Sequence, residues 1–234
     1  MTHLISKNSW FYTITLLLLV AMSCFLCCFS HCDGFMLLNS FHTKALNFFF
    51  EIITFFGDGI FLIAVSLLLL FGFKKHRKLA FLILLSYFIS GVFAQFFKAF
   101  ITAPRPSVYF AMHHYTYYLD TFATSRIGFR SFPSGHAASA FAMATVISIY
   151  CHKKSVCIAA LLFALLVGYS RIYLAHHFLI DVLGGTAIGV LSASLSVIWY
   201  NAIQSKISKI VKKSLFHKNN WPNTAFPNSS LSNP

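Results

Sequence analysis

The chain reads SRIYLAHHFLID at residues 170–181, and this stretch indicates how the whole protein is organised. It places Arg171, His177 and Asp181 between two apolar segments that are each long enough to form a helix. Titratable side chains at a membrane boundary are costly unless they have a role. We therefore expect two membrane helices that meet at a functional polar site.

The composition of the 234-residue chain is that of an integral membrane protein, because 58% of the residues are hydrophobic and only 10% are charged. Several apolar runs are long enough to cross roughly 30 Å of hydrocarbon. The sequence predicts an all-α, polytopic membrane helical bundle with about six transmembrane helices. The predicted spans are Trp10 to Phe29, Asp58 to Phe73, Leu79 to Phe97, Gly135 to Tyr150, Ser155 to Tyr169 and Phe178 to Tyr200. The second, fourth and fifth are short for a full crossing.

Two segments outside these spans have a different character. Residues 37–56 mix polar and apolar side chains, which indicates either a helix lying at the outer surface or a loop with a hydrophobic face. Residues 217–234 are rich in Asn, Pro and Ser and are predicted to form a disordered cytoplasmic tail. Residues 1–216 are predicted to form a single membrane-embedded domain, with its polar blocks at 98–181.

The distribution of charge predicts the orientation in the membrane, since basic loops are retained on the cytoplasmic side during insertion. The net charge is +13, and most of the 18 Lys and Arg residues fall in short loops or near the C-terminus. The predicted cytoplasmic set is Lys7, Lys74, Lys75, Arg77, Lys78, Lys153, Lys154, Lys206, Lys209, Lys212, Lys213 and Lys218. Both termini are then cytoplasmic and the polar blocks lie on the opposite side. Topology explains these basic residues, so no nucleic-acid partner is expected.

A second polar block, Pro133-Ser134-Gly135-His136, precedes an apolar run. Pro133 is placed to start a helix whose first turn has free N–H groups that favour an anion. Gly135 lets the backbone approach the anion, the Ser134 hydroxyl adds a hydrogen bond, and His136 is placed to protonate a departing oxygen. The alternative is a capped helix with a small-residue packing face at 137–140. That alternative explains the alanines but not the histidine.

A third block pairs Lys98 with Arg105, separated by six residues, and Arg105 is followed by Pro106. A lone lysine at the end of a span usually extends to the lipid headgroups. Here Pro104 and Pro106 restrict the loop that carries Arg105, so that both cations are expected to point at one spot.

These three blocks, in their order along the chain, resemble the signature of the type 2 phosphatidic acid phosphatase superfamily. Its members are metal-independent lipid phosphatases that share their site with vanadium haloperoxidases and bacterial acid phosphatases. The resemblance covers residues 98–181 closely. It implies that His177 is the nucleophile, His136 the general acid and Asp181 the residue that orients His177. It also implies a metal-free and cofactor-free site, in which the phosphate is bound by Lys98, Arg105, Ser134, Gly135 and Arg171.

His176 is the rival of His177 for the role of nucleophile. The four-residue spacing from His177 to Asp181 puts both side chains on one helix face, whereas His176 lies on a different face. The spacing from Arg171 also selects His177. The carboxylate then holds one imidazole nitrogen and leaves the other free to attack phosphorus.

The loop between residues 107 and 132 is predicted to select the substrate. Arg126 and Arg130 in this loop either hold a second phosphate or face anionic headgroups. His113 and His114 suggest a metal, but the sequence shows no third ligand for one.

The resemblance implies an integral membrane enzyme that hydrolyses the phosphate of a polyprenyl diphosphate or a similar anionic lipid. Removal of phosphate from lipid A, or its transfer onto lipid A from a carrier lipid, is the alternative reaction at the same site. A non-catalytic lipid-binding or transport protein on the same fold is the alternative of another class. A binder needs the cations but not His136, His177 and Asp181 together. We expect a bacterial inner membrane location, and the sequence predicts no particular oligomeric state.

Overall fold

A computed structural model describes residues 8–117, 119, 122, 127–151 and 153–219, with side chains only up to residue 211 in the last range. In these residues the secondary structure is helical, apart from one isolated bridge between Pro104 and Phe129. The helices are α1 (Ser9–Cys28), α2 (His31–Asn39), α3 (Lys44–Phe55), α4 (Gly59–Gly72), α5 (Arg77–Phe100), α6 (Pro106–Met112), α7 (Gly135–Cys151), α8 (Lys154–Tyr173) and α9 (Leu179–Asn219). A short 3₁₀ helix, Lys74–His76, leads into α5.

Four helices of the described part are long and apolar enough to cross a membrane: Ser9–Cys28, Lys74–Phe100, Lys154–Tyr173 and Leu179–Val211. Helices α3 and α4 provide a fifth candidate if the pair, bent by 55°, is counted as one span. The span predicted at residues 135–150 corresponds to α7, whose 17 residues fall short of the about 20 that cross a bilayer. The structure therefore supports four or five spans, and the predicted number of six is not established.

Large apolar side chains cover the outer faces of these helices. The exposed ones include Leu16, Leu17, Leu68, Phe71 and Phe88. An exposed apolar surface of this kind is unfavourable in water and favourable against lipid chains. The helices thus present the surface that a bilayer requires.

Side-chain caps explain where the helices of the N-terminal region begin. Ser30 accepts a hydrogen bond from the backbone N–H of Asp33 at 3.1 Å and starts α2. Thr43 accepts one from Leu46 at 3.2 Å and starts α3. Each cap satisfies an N–H group that the first helical turn leaves without a partner.

The sequence allowed either a helix or a loop for residues 37–56, and the structure has a helix over residues 44–55. Helix α3 rules out a loop there, and α2 already extends to Asn39. Helix α3 ends at a short break of residues 56–58, which is called the elbow below, and α4 follows at an angle of 55°. The elbow packs against α7, because a Cβ atom on Gly57 would lie only 3.0 Å from the Cβ of His136.

Helices α7 and α9 pack backbone to backbone. A Cβ on Gly185 would lie 2.4 Å from the carbonyl oxygen of Ser134, and one on Gly189 would lie 2.4 Å from that of Ala138. Such a close approach is possible only where the helix surface carries no side chain, as in small-residue packing motifs of membrane helices. The residues of α7 that face its neighbours are correspondingly small, and Ala137, Ala138 and Ala140 are buried.

Helix α2 supports the end of α8. The buried side-chain amide of Asn39 donates to the carbonyl oxygens of Ile172 at 2.9 Å and Tyr173 at 2.8 Å. Carbonyl groups in the last turn of a helix have no partner within the helix, so this amide satisfies two of them. The contact fixes the position at which α8 ends.

The chain divides into two units, residues 1–198 and residues 199–234. In the second unit, residues 199–219 are helical and the side chains of residues 201–211 are exposed. Of the predicted tail at 217–234, residues 217–219 are helical and residues 220–234 lie outside the described part of the chain.

Candidate active site

A tight turn between α8 and α9 joins Arg171 to His177. The backbone N–H groups of His176 and His177 both donate to the carbonyl oxygen of Arg171, at 2.9 and 3.0 Å. Ala175 adopts a φ of 53° within this turn, a left-handed conformation that costs a residue with a Cβ atom some free energy. The turn therefore brings Arg171, at the end of α8, close to His177.

His177 lies before α9 rather than in it, because α9 begins at Leu179. The prediction that His177 and Asp181 share a helix face is therefore wrong in its detail. The two side chains nevertheless meet, with His177 Nδ1 at 3.4 Å from Asp181 Oδ2. The pair is buried, with exposed side-chain fractions of 3% and 2%.

Asp181 Oδ2 is the centre of a buried hydrogen-bond network. It accepts from the Ser131 hydroxyl at 2.5 Å and from the backbone N–H of Phe178 at 2.9 Å. The Ser131 oxygen also lies 3.2 Å from His177 Nδ1. Since both neighbours of Nδ1 are oxygens able to accept, the proton of the neutral imidazole belongs on Nδ1. Nε2 then carries the lone pair, as an attacking nitrogen requires.

The second block begins helix α7, but two residues after Pro133, where the start was predicted. The helix starts at Gly135, and Pro133 precedes it. The Ser134 hydroxyl oxygen accepts from the backbone N–H of Ala137 at 3.4 Å, and its own N–H donates to the carbonyl oxygen of Asp181 at 2.9 Å. The start of α7 is thereby tied to the first turn of α9.

The third block lies across from this helix start. Lys98 is in the last turn of α5, and its ammonium group donates to the carbonyl oxygen of Arg130 at 3.1 Å. Arg105 immediately precedes α6 and is 8% exposed. Its guanidinium donates to the carbonyl oxygen of His176 at 2.8 Å. Arg105 is thereby attached to the same turn that presents His177.

Arg171 is buried and is positioned by the N-terminal region. Its guanidinium donates to the hydroxyl of Thr54, a buried residue of α3. The contact links the last turn of α8 to the helix that leads into the elbow. Thr54 therefore takes part in orienting a cation of the site.

One cavity of about 380 Å³ brings the three blocks together. Its polar wall is formed by Lys98, Arg105, Gly135, His136, Arg171 and His177. Another wall, from α4 and α5, contributes the apolar residues Ile60, Ile63, Gly91 and Ala94 beside the polar Tyr87, Ser90 and Gln95. A cavity with cations and histidines on one side and apolar residues on another suits an amphiphilic anion.

Electrostatics keep His177 neutral. Burial, and next the positive charges of Arg171, Arg105 and Lys98, lower the pKa of His177 well below its ordinary value. Both effects disfavour an imidazolium ion. An unprotonated imidazole is the form that can act as a nucleophile. The cations that line the cavity thus also favour the neutral form of His177.

The remaining predicted residues are placed as follows. Arg126 lies outside the described residues. Arg130 is exposed and has a φ of 69°. Its carbonyl oxygen accepts a hydrogen bond from Lys98, which lines the cavity. Its predicted role toward a second phosphate stays a prediction. Residues 106–112, which belong to the predicted substrate loop, form helix α6. His176, the rival nucleophile, is buried with an exposed fraction of 1%.

Three side chains of the site were not predicted: Ser131, Thr54 and Asp58. Ser131 is 50 residues from its partner Asp181, and Thr54 is 117 residues from Arg171. Asp58 approaches His136, with Oδ2 at 3.8 Å from Nε2. Of the three, only Asp58 carried a signal in the sequence, as a lone carboxylate between two glycines in an apolar region.

Comparison with known proteins agrees with this geometry, since residues 76–205 match the PAP2 superfamily. The chain belongs to this superfamily. The match contains Lys98, Arg105, His136, His177 and Asp181, and it extends over more than half of the chain.

The chain is similar to several lipid phosphatases. It is 32% identical over 150 residues to phosphatidylglycerophosphatase B of Bacillus subtilis, covering 59% of this chain and 68% of that protein. It is 29% identical over 197 residues to undecaprenyl-diphosphatase of Sulfolobus acidocaldarius, with coverages of 81% and 91%. It is 29% identical over 167 residues to lipid A 1-phosphatase of Rhizobium etli, with coverages of 64% and 69%.

A solved structure shows the same fold. The crystal structure of Aquifex aeolicus LpxE superposes with a TM-score of 0.60 at 30% sequence identity, covering 71% of this chain and 94% of that one. The predicted all-α membrane fold and the membership of the superfamily are therefore confirmed. The protein is an integral membrane member of the PAP2 phosphatases.

Proposed function

We propose that this membrane phosphatase releases phosphate from a lipid phosphate through a phosphohistidine formed on His177. One observation carries the proposal. His177 lines a cavity with Lys98, Arg105 and Arg171, while its Nδ1 lies 3.4 Å from Asp181 Oδ2. A nucleophile and three cations thus line one cavity, and the orienting carboxylate lies behind the nucleophile.

The reaction we propose has two steps. In the first, His177 Nε2 forms a bond to phosphorus as the bond from phosphorus to the lipid oxygen, or to the leaving phosphate, breaks. His136 gives its proton to that departing oxygen. In the second, a water molecule gives a proton to His136 and its oxygen attacks phosphorus, and the bond from phosphorus to Nε2 breaks. Free phosphate leaves, and both histidines return to their starting forms.

The cations supply most of the expected acceleration. Lys98, Arg105 and Arg171 neutralise charge on the phosphoryl oxygens that do not react, and N–H groups at the start of α7 add to this. Removing one such contact typically costs about 3 to 4 kcal/mol of barrier, on the order of a hundred- to a thousandfold in rate. We propose that no metal takes part. In the described part of the chain, no three His, Cys, Asp or Glu side chains are grouped to bind one.

The leading substrate class is a polyprenyl diphosphate or a similar anionic lipid. The apolar wall of the cavity suits a lipid tail, and the undecaprenyl-diphosphatase relative is matched over 91% of its length. The similarity to lipid A 1-phosphatase favours lipid A as a second candidate. We propose that the protein resides in a bacterial inner membrane with cytoplasmic termini, which places the site on the periplasmic or extracellular side.

The test is phosphate release by the detergent-purified protein, with and without a chelator. Undecaprenyl diphosphate, phosphatidylglycerophosphate, phosphatidic acid and lipid A are the substrates. We expect chelator-resistant release from one of them, lost in His177→Ala. The matched control is His76→Ala, at the opposite end of α5 from Lys98.

A phosphate-labelled substrate adds a second readout. Rapid acid-free quenching should trap the label on the wild-type protein but not on His177→Ala. Label on an acceptor lipid in place of free phosphate would indicate a phosphotransferase. Release that persists in His177→Ala would contradict the proposed nucleophile.

A further inference from the structure

Asp58 provides a carboxylate on the wall of the cavity that otherwise carries cations and histidines. It is the one acidic side chain among the described residues that line this cavity. It is about one-third exposed, with a side-chain fraction of 33%. None of the steps described so far uses it.

The two oxygens of Asp58 have separate partners. Oδ1 accepts from the backbone N–H of Ile60 at 2.9 Å and caps α4. Oδ2 lies 3.8 Å from Nε2 of His136. The cap fixes the carboxylate plane, so that the second oxygen is held toward the imidazole.

The two glycines that flank Asp58 lie close to α7 and to a side chain of α5. A Cβ on Gly57 would lie 3.0 Å from the Cβ of His136 and 3.1 Å from its carbonyl oxygen. A Cβ on Gly59 would lie 1.9 Å from the hydroxyl oxygen of Tyr87. Gly57 thus lets the elbow approach α7 closely, and Gly59 leaves room for the side chain of Tyr87.

The carboxylate of Asp58 faces a histidine that is otherwise surrounded by positive charges. The charged and titratable groups that line the cavity with His136 come from α5, the start of α6, the end of α8 and the turn after it: Lys98, Tyr87, Arg105, Arg171 and His177. The three cations disfavour a proton on His136, because like charges repel in a partly desolvated site. Asp58 opposes them.

We propose that Asp58 is a positioning residue for the general acid, holding His136 with a proton on Nε2 at the place where the leaving oxygen departs. The proposal rests on the phosphatase function proposed above. A distance of 3.8 Å is longer than a hydrogen bond, so that the pair is electrostatic. Asp58 therefore acts on Nε2 of His136 through its charge.

The same pairing serves both halves of the reaction. When the leaving oxygen takes the proton, His136 becomes neutral and Asp58 keeps its negative charge. When water attacks the phosphohistidine, its proton passes to Nε2 of His136. The resulting imidazolium ion is again opposite the carboxylate, so that the site is reset for the next substrate.

The test compares Asp58→Asn with the wild type on two phosphate esters. Asparagine caps a helix about as well as aspartate, so this variant removes the charge and keeps the start of α4. Dodecyl phosphate has a poor leaving group that needs a proton, whereas 4-nitrophenyl phosphate has a good one that does not. We expect kcat/KM to fall on the order of 10- to 100-fold for the alkyl ester, as a part of what general acid catalysis supplies. The aryl ester should change less than about threefold.

The pH profile gives a readout that a purely structural role would not move. For the alkyl ester, the alkaline limb reports loss of the proton from the general acid, and it should shift to lower pH in Asp58→Asn. Asp58→Glu should restore the wild-type limb. In a His136→Ala background, Asp58→Asn should have no further effect.

The outcomes separate this inference from the proposed function. An unchanged ratio of the two esters and an unchanged alkaline limb in Asp58→Asn would overturn the role of Asp58. Release that is lost in His177→Ala would still support the phosphatase. A wild-type protein that releases phosphate from neither ester nor any of the lipids would overturn the proposed function and this inference with it.

Discussion

Asp181 shows at the scale of one residue how a carboxylate is kept in place inside a largely apolar protein. One of its oxygens accepts from Ser131 and from the backbone of Phe178, and it faces His177. A buried carboxylate is tolerated when its hydrogen-bonding capacity is used. Ser131 contacts both members of the pair, and therefore fixes their mutual orientation.

The lowered pKa of His177 predicts how stability depends on pH. Below the ordinary histidine pKa of about 6.5, the unfolded chain binds a proton here that the folded protein does not. This contribution to the free energy of unfolding is complete above about pH 6.5 and is lost as the pH falls, by about 1.4 kcal/mol per pH unit. We expect the unfolding temperature of the wild type to drop more between about pH 7.5 and 5.5 than that of His177→Gln. Equal drops would show that protonation of His177 is not coupled to folding.

At the scale of helices, the contact between α7 and α9 predicts the effect of a single methyl group. In Gly185→Ala the new Cβ would meet the carbonyl oxygen of Ser134 at 2.4 Å, and backbone has to move. We expect a loss of stability of about 1 to 3 kcal/mol, the usual cost of overpacking. Phosphate release should fall by at least about tenfold, because a misplaced reacting group costs rate steeply.

The control for this substitution is Gly72→Ala at the end of α4, where a Cβ meets no atom within 4 Å. It should keep the activity and the unfolding temperature of the wild type. If both alanine variants behaved alike, the close approach of α7 and α9 would not be what positions Ser134.

The helices were predictable from the sequence because long apolar runs have few other solutions in a bilayer. The three blocks were predictable because their spacing is short and local. The contacts of Thr54, Ser131 and Asp58 were not, since each joins segments that are far apart in the chain. The role of Pro133 as the start of α7 was also predicted wrongly, because a Ser cap competes with a Pro start.

At the scale of the whole molecule, the basic loops predict which side of the membrane each end of α8 occupies. Lys153 precedes α8, Lys154 is its first residue, and Arg171 lies in its last turn. We expect a cysteine at Lys154 to react with a membrane-impermeant maleimide only after permeabilisation. A cysteine at His113, which follows α6, should react in intact cells. Both are introduced into a protein whose six cysteines have been replaced.

Labelling at both positions from the same side would contradict the proposed orientation. A variant with a cysteine at each position, tested for phosphate release, controls for the fold. Reversed labelling would place the site on the cytoplasmic side, and the substrate would then have to be a lipid of the inner leaflet.

The contact of Asn39 with the end of α8 limits how segments can be exchanged between members of this superfamily. Asn39 and Asp58 both precede residue 76, where the match to the superfamily begins. A chain cut at that point would retain every signature residue, yet Ile172 and Tyr173 would lose the amide that holds them. The signature segment therefore depends on contacts from helices that precede it. Chimeras that exchange catalytic segments between relatives should include these upstream helices.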